Sequence, residues 1–255
     1  MCNLLCRFIL GAQAGILLAL GNEDCILPAS LFTNKLLNNL DAGTIARLRL
    51  RPVALELRQE ITTAGGKIDE LVFIEEGMCS MTASFEDGSE VEVSIFGYES
   101  VIGLSSLMGS KHSLNRVYMQ LPGRGFSSPL KAASKEFGLC GRFQQLALRN
   151  VQAQLTQSMQ YAGCNAKHKI KQRLARWLLI CADRARSDRF SISHEFLADM
   201  LGSTRPTVSV AAGALKARRL IEYSRGAISI LDRKGLERKA CECYRVVKEQ
   251  LDNGI

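Results

Sequence analysis

Residues 197–216 read LADMLGSTRPTVSVAAGALK. The apolar spacing is that of one amphipathic helix, but Gly202 interrupts it and Pro206 follows Arg205. Upstream, SISHEFLADMLG offers Ser193 as an N-cap, with apolar positions at Phe196, Leu197, Met200 and Leu201. Gly202 then ends a first helix in a tight turn, and Ser203 or Thr204 caps a second. Pro206 is tolerated there because the first helical turn has no intrahelical N–H partners to lose. Small Ala198 lets the two helices approach, and Val208 and Ala211 face inward. Thr204, Arg205, Pro206, Thr207, Ser209, Val210 and Gly213 are left to point outward. A break of this kind sets the second helix steeply across the first, as a helix-turn-helix requires.

The following segment strengthens that reading. RRLIEYSRGAISILD (218–232) alternates like a hairpin around Ser224–Gly226, a wing directly after the second helix. Lys216, Arg218, Arg219 and Arg225 gather where phosphates would pass. The 255 residues carry a net charge of +8, unevenly spread. Residues 1–165 hold 14 Lys/Arg against 15 Asp/Glu, and residues 166–255 hold 19 against 10. A near-neutral half joined to a basic half predicts two units, the second of which meets a polyanion. Double-stranded DNA is the expected partner.

Working back along the chain, glycines between Arg51 and Gly103 punctuate short β-branched runs, and Glu86–Ser89 (EDGS) is a hairpin turn. Short strands at this spacing predict a roll or barrel. LFTNKLLNNLDAGTIARL before it has helical periodicity, and Pro129–Phe137 reads as a short helix. A long helix is expected from about Gly141 to Tyr161. Its Leu148, Val151, Leu155, Met159 and Ala162 are spaced 3, 4, 4 and 3, a coiled-coil-like seam that would pair two copies.

The order β-roll, long helix, winged helix-turn-helix resembles the Crp/Fnr family of transcription regulators. The stretches that carry it are TNKLLNNL, VFIEEGMCS, EDGSEVEVSIFGYESVIG and NRVYMQ in the first half, then RLARWLL and FLADMLGSTRPTVS. The resemblance covers roughly residues 30–250. It implies an α+β fold with a cyclic-nucleotide-binding-like sensor at 26–140, a dimerisation helix at 141–164 and a DNA-binding domain at 165–255. It also implies a homodimer.

The family's nucleotide cassette is a glycine–glutamate pair, small residues, then arginine followed by a hydroxyl residue. Here Gly103, Ser105, Ser106 and Arg116 match, but Leu104 replaces the glutamate and Val117 the hydroxyl residue. Leu104 cannot accept a ribose hydroxyl, so cyclic AMP is not expected to be the effector. In the recognition helix Pro206 and Val210 stand where the family carries a glutamate and a second arginine. Val210 can make only apolar contact, so a different operator is expected.

Residues 1–21, MCNLLCRFILGAQAGILLALG, have the look of a secretory signal, but Gln13 interrupts the run and Arg7 is its one positive charge. Residues 1–25 are expected to be an amphipathic or poorly ordered extension. The competing reading is a ligand-binding module exported or anchored through residues 1–20. A DNA-binding half outside the cytosol would have no DNA to meet, so a cytoplasmic protein with no membrane partner is expected. RNA polymerase and a small effector of unassigned identity are further candidate partners.

Nine cysteines without repeating spacing argue against a disulfide framework and for a reducing compartment. Cys2, Cys6 and Cys25 depart from the spacing of the family's iron–sulfur branch. Cys241 and Cys243, taken as helical, point to different faces, and His168 reads as a surface or packed histidine. No cofactor and no metal are expected. His112, His168 and His194 are far apart, and no nucleophile elbow or phosphate-binding glycine loop appears, so enzyme activity is not expected.

Overall fold

The computed structural model describes residues 32–224 and 226–253, so residues 1–31, Arg225 and the last two residues lie outside it. The expectations for the N-terminal extension, for Cys2, Cys6 and Cys25 and for Arg225 therefore fall outside the described residues. The first helical stretch forms two helices, α1 (Lys35–Asn38) and α2 (Ala42–Leu48). The side chains of Asn34 and Asp41 each accept backbone N–H groups at a helix start. The second cap restarts the helix, because a short polar side chain satisfies otherwise orphaned donors.

The β-roll follows: β1 (Arg51–Leu55), β2 (Glu60–Thr62), β3 (Glu70–Ser84), β4 (Glu90–Phe96), β5 (Val101–Ile102) and β6 (Arg116–Pro129). The strands are antiparallel in the order β1-β6-β3-β4, with β2 paired to β6 and β5 to β3. The EDGS turn joins β3 to β4, with Gly88 at φ 81°. A 3-10 turn, Leu104–Met108, lies between β5 and β6. Then come α3 (Leu130–Gly138) and the long α4 (Arg142–Lys167), which runs one turn past the expected end of its seam.

Helix α5 (Ile170–Ala185) opens the second half. It is followed by β7 (Arg189–Ser191), α6 (His194–Met200), α7 (Arg205–Lys216), β8 (Ile221–Ser224) and β9 (Ala227–Ile230). The chain closes with α8 (Arg233–Glu237) and α9 (Cys243–Asn253). The hairpin β8–β9 is present as read, but β7 pairs with β9 and makes the wing's sheet three-stranded. That strand is only three residues long, too short for alternation to announce it.

Two cores serve the roll, one inside it and one where Leu36, Leu37, Phe143 and Leu146 pack. The third core joins the two halves. Met78, Ile95 and Tyr118 of the roll share it with Trp177, Leu178, Met200 and Leu215. Polar contacts cross the same boundary. The Trp177 indole donates to Glu92 Oε1 at 2.9 Å, while Ser80 and Gln120 donate to Glu92 Oε2. Arg184 donates to Glu99 at 2.8 Å, and both side chains are almost fully buried. A buried ion pair contributes little net stability, but losing one partner strands the other charge and costs about 3–5 kcal/mol.

Burial pushes the Glu92 carboxyl up to about 7, against the hydrogen bonds and the Arg176 charge that pull it down. An unfolded glutamate titrates near 4.3. Between those two values the folded chain holds a proton that the unfolded chain has released, so stability falls as pH rises through that window. Glu92→Gln removes the titration. Denaturant unfolding from pH 4 to pH 8 should show the wild type losing about 3 kcal/mol relative to this variant as pH rises.

Candidate nucleic-acid interface

Helix α6 starts as the sequence implies: the Ser193 hydroxyl accepts from the Phe196 N–H at 3.1 Å. Gly202 then turns the chain at φ 51°, a left-handed conformation that costs a side-chain-bearing residue roughly 1–2 kcal/mol. The turn sits against the roll, where a Cβ on Gly202 would meet Val91 at 3.1 Å. Arg173 of α5, buried, donates to the Leu201 carbonyl and holds the end of α6 in place. Thr204 is the N-cap of α7, but its hydroxyl bonds to the Thr207 hydroxyl at 2.9 Å and caps no backbone N–H.

Val208, Ala211, Ala212 and Leu215 bury the inner face of α7. On the outer face Arg205, Pro206, Thr207, Val210 and Gly213 are exposed, Val210 to 75%. Arg205 is 3.8 Å from Glu195, an exposed pair that costs little to separate. Ser209 departs from the expected outward set: it is half-buried and lies 2.9 Å from His194 Nδ1. His194 in turn stacks on Tyr223 of β8, ring centroids 4.1 Å apart. One histidine thus ties α6 to α7 and to the wing. Burial, then the Arg205 charge, lowers its pKa and favours the neutral ring. Nothing in the spacing of three isolated histidines signalled this clamp.

Lys216, Arg218 and Arg219 are exposed beside the wing, with Lys216 paired to Glu222 at 2.5 Å. The basic excess is not all surface. Arg173, Arg176 and Arg184 are buried, and Arg233 is engaged with Asp183 and Asp188. Composition alone cannot separate such structural arginines from those that face outward.

In the roll, Gly103 begins the 3-10 turn at φ 91°, and Ser106 Oγ donates to its carbonyl at 2.6 Å. Ser105 lies in the same turn. Leu104 is buried in the core with Leu37 and Phe143. Val117 is also buried. Arg116 is elsewhere on the roll, bonded to Glu60 at 2.7 Å and Glu90 at 3.1 Å, and lines a cavity of about 410 Å³ with Tyr118, Phe196 and Asp199. On α4, Leu148, Leu155 and Met159 are exposed, as is Ala162, while Val151 is half-buried against the sensor-side core.

The cysteines behave differently from their reading. Helix α9 begins only at Cys243, so Cys241 and Cys243 are not on one helix and need not diverge. Together with Cys164 and His168 they bring four ligand atoms within 4.8 Å of one another. His168 is a member of this cluster rather than an isolated surface histidine.

Residues 172–239 match the Crp-like helix-turn-helix domain. This span contains α6, the Gly202 turn, α7 and the wing. The second half of the chain thus carries a Crp-like helix-turn-helix domain. Among similar proteins are global nitrogen regulators from Nostoc sp. and Synechococcus elongatus. The first is 25% identical over 69% of this chain and 82% of its own, the second 25% identical over 84% and 96%. A Crp/Fnr-family regulator from Eubacterium rectale matches with a TM-score of 0.65 at 18% identity, over 80% of this chain and 97% of its own. FixK2 from Bradyrhizobium japonicum matches with a TM-score of 0.66 at 15% identity, over 75% and 98%. The chain therefore combines a Crp-like helix-turn-helix domain with similarity to transcription regulators over most of its length. Among its described residues no helix is long and apolar enough to cross a membrane.

Proposed function

We propose that this regulator is a cytoplasmic homodimer that reads its operator through α7 and is not switched by cyclic AMP. The observation that carries the reading is the outer face of α7. Arg205, Pro206, Thr207 and Val210 are exposed on a helix whose start is fixed by the Gly202 turn and whose far side is buried. Arg205 can fork onto a guanine edge or a phosphate, and Val210 can meet a thymine methyl. Lys216, Arg218 and Arg219, with Arg225 by its position in the sequence, supply phosphate contacts that set affinity and register. Breaking the Lys216–Glu222 pair is cheap, since both side chains are about half exposed.

Pairing through α4 is supported by Leu148, Leu155 and Met159, large apolar side chains left exposed along one helix. Two copies joined there would carry two recognition helices related by a two-fold axis. Residues 26–140, 141–164 and 165–255 then act as sensor, dimerisation helix and DNA-binding domain.

Two features of the roll weigh against cyclic AMP. Leu104, where a ribose acceptor would be needed, is core packing. Arg116, where a phosphate partner would be needed, is already held by two carboxylates that a phosphate would have to displace.

Arg205→Ala should weaken binding to the selected operator by about 1–3 kcal/mol and relax preference at one base pair in each half-site. Quantitative mobility shift on an operator substitution series measures both, and adding cyclic AMP should leave every affinity unchanged. Undiminished specificity in the variant would remove α7 from the reading surface.

Leu155→Glu places like charges against each other in an apolar seam. It should convert dimers to monomers in sedimentation at micromolar concentration. A variant that stays dimeric moves the interface off α4.

A further inference from the structure

We propose that Cys164, His168, Cys241 and Cys243 form a mononuclear tetrahedral zinc(II) site that ties the C-terminal segment to the end of the long helix. Cys164 lies in the last turn of α4 and His168 is the residue that caps it, its backbone N–H donating to the Cys164 carbonyl at 3.0 Å, so the two stand one turn apart. Cys241 and Cys243 come from the turn that leads into α9. The Sγ atoms of Cys164 and Cys241 are 3.5 Å apart, and Cys243 Sγ is 3.6 Å from His168 Nδ1. In a tetrahedral site with Zn–S bonds of about 2.3 Å, neighbouring ligand atoms stand about 3.8 Å apart, so these are the edges of such a tetrahedron with little movement required. An iron–sulfur cluster would divide the ligands among two or four irons and spread the set wider than the observed 4.8 Å. Three sulfurs and an imidazole are the donor set of structural zinc, and the three cysteines are fully or almost fully buried.

The surroundings point the same way. His168 Nε2 is 3.2 Å from Glu242 Oε1, so Nε2–H can donate to the carboxylate and leave the Nδ1 lone pair facing the sulfurs. Carboxylate–histidine pairs orient metal-binding imidazoles in this manner. Gln160 donates to Cys243 Sγ at 3.0 Å, a bond suited to a thiolate. Arg176 supplies the charge balance. It is buried at 2% exposure, its charge acts on Cys164 and Cys241, and its Nε and Nη1 have no hydrogen-bond partner among the described residues. Zinc with three thiolates and a neutral imidazole carries a net charge of −1, which one guanidinium cancels.

The site spans the place where α4 hands over to α5, since His168 is the last residue before the Lys169 that precedes α5. A metal there joins the long helix to the end of the DNA-binding half and fixes the angle between them. It is independent of how α7 reads DNA, so it can stand or fall apart from that reading.

The test uses the full chain purified in reductant without chelator. Elemental analysis should find one zinc per chain and no iron or sulfide. The stripped protein should recover zinc in competition with a chromophoric chelator, with a rise in Tm. Cobalt(II) should give the intense visible bands of a tetrahedral thiolate complex. Cys243→Ser should weaken zinc by more than about 100-fold and Glu242→Gln by about 10–100-fold, while Cys140→Ser, at an exposed cysteine outside the cluster, should change nothing. The wild-type titrations decide the matter even if a variant fails to fold. Reduced wild-type protein that takes up neither zinc nor cobalt, or that carries iron and sulfide instead, overturns the proposal.

Discussion

The buried carboxylate of Glu92 is the constraint on which the arrangement of the two halves turns. A carboxyl group taken out of water must find donors or keep its proton. Glu92 finds Ser80 and Gln120 within the roll and the Trp177 indole across the boundary. Trp177 belongs to α5, and α5 also supplies Arg173, which holds the end of α6, and Arg184, which pairs with Glu99. The turn at Gly202 then rests on Val91 of β4, the strand that carries Glu92 itself. Strand β4 thus sets α5, and α5 with β4 sets α6, leaving the outer face of α7 in solvent. Shape and charge at that face follow from a contact made well away from it.

Much of this was legible because local chemistry and global fold agree. Ser193, Gly202 and Pro206 are a cap, a left-handed turn and a first-turn proline, and each does in the structure what its residue type permits. The EDGS turn and the wing hairpin are of the same kind, since alternation and a positive-φ glycine leave few other solutions. The roll's strands and the long helix were readable from periodicity. The division of the first helical stretch at Asp41 was visible as a cap residue but not as a decision, because periodicity continues across it.

What was not legible depends on contacts between distant segments. The His194–Tyr223 stack and the Arg173 bond to Leu201 join residues 28 or more positions apart, and no pattern in either segment announces them. Net charge counted arginines that are buried scaffold together with those that face solvent. The cysteines failed for a sharper reason. Helical spacing across Cys241 and Cys243 implies diverging faces, but the helix begins only at Cys243. Their partners, Cys164 and His168, lie more than seventy residues away, and neither pair alone is a metal motif.

The central claim is that α7, presented by this scaffold and paired through α4, reads DNA. Hydroxyl-radical footprinting of the protein on an operator selected from random fragments tests it most directly. A two-fold dimer with one recognition helix per half should protect two symmetry-related half-sites on one face of the duplex, centred about 34 Å apart. A single half-site, or uniform protection with no sequence selected at all, would contradict the account.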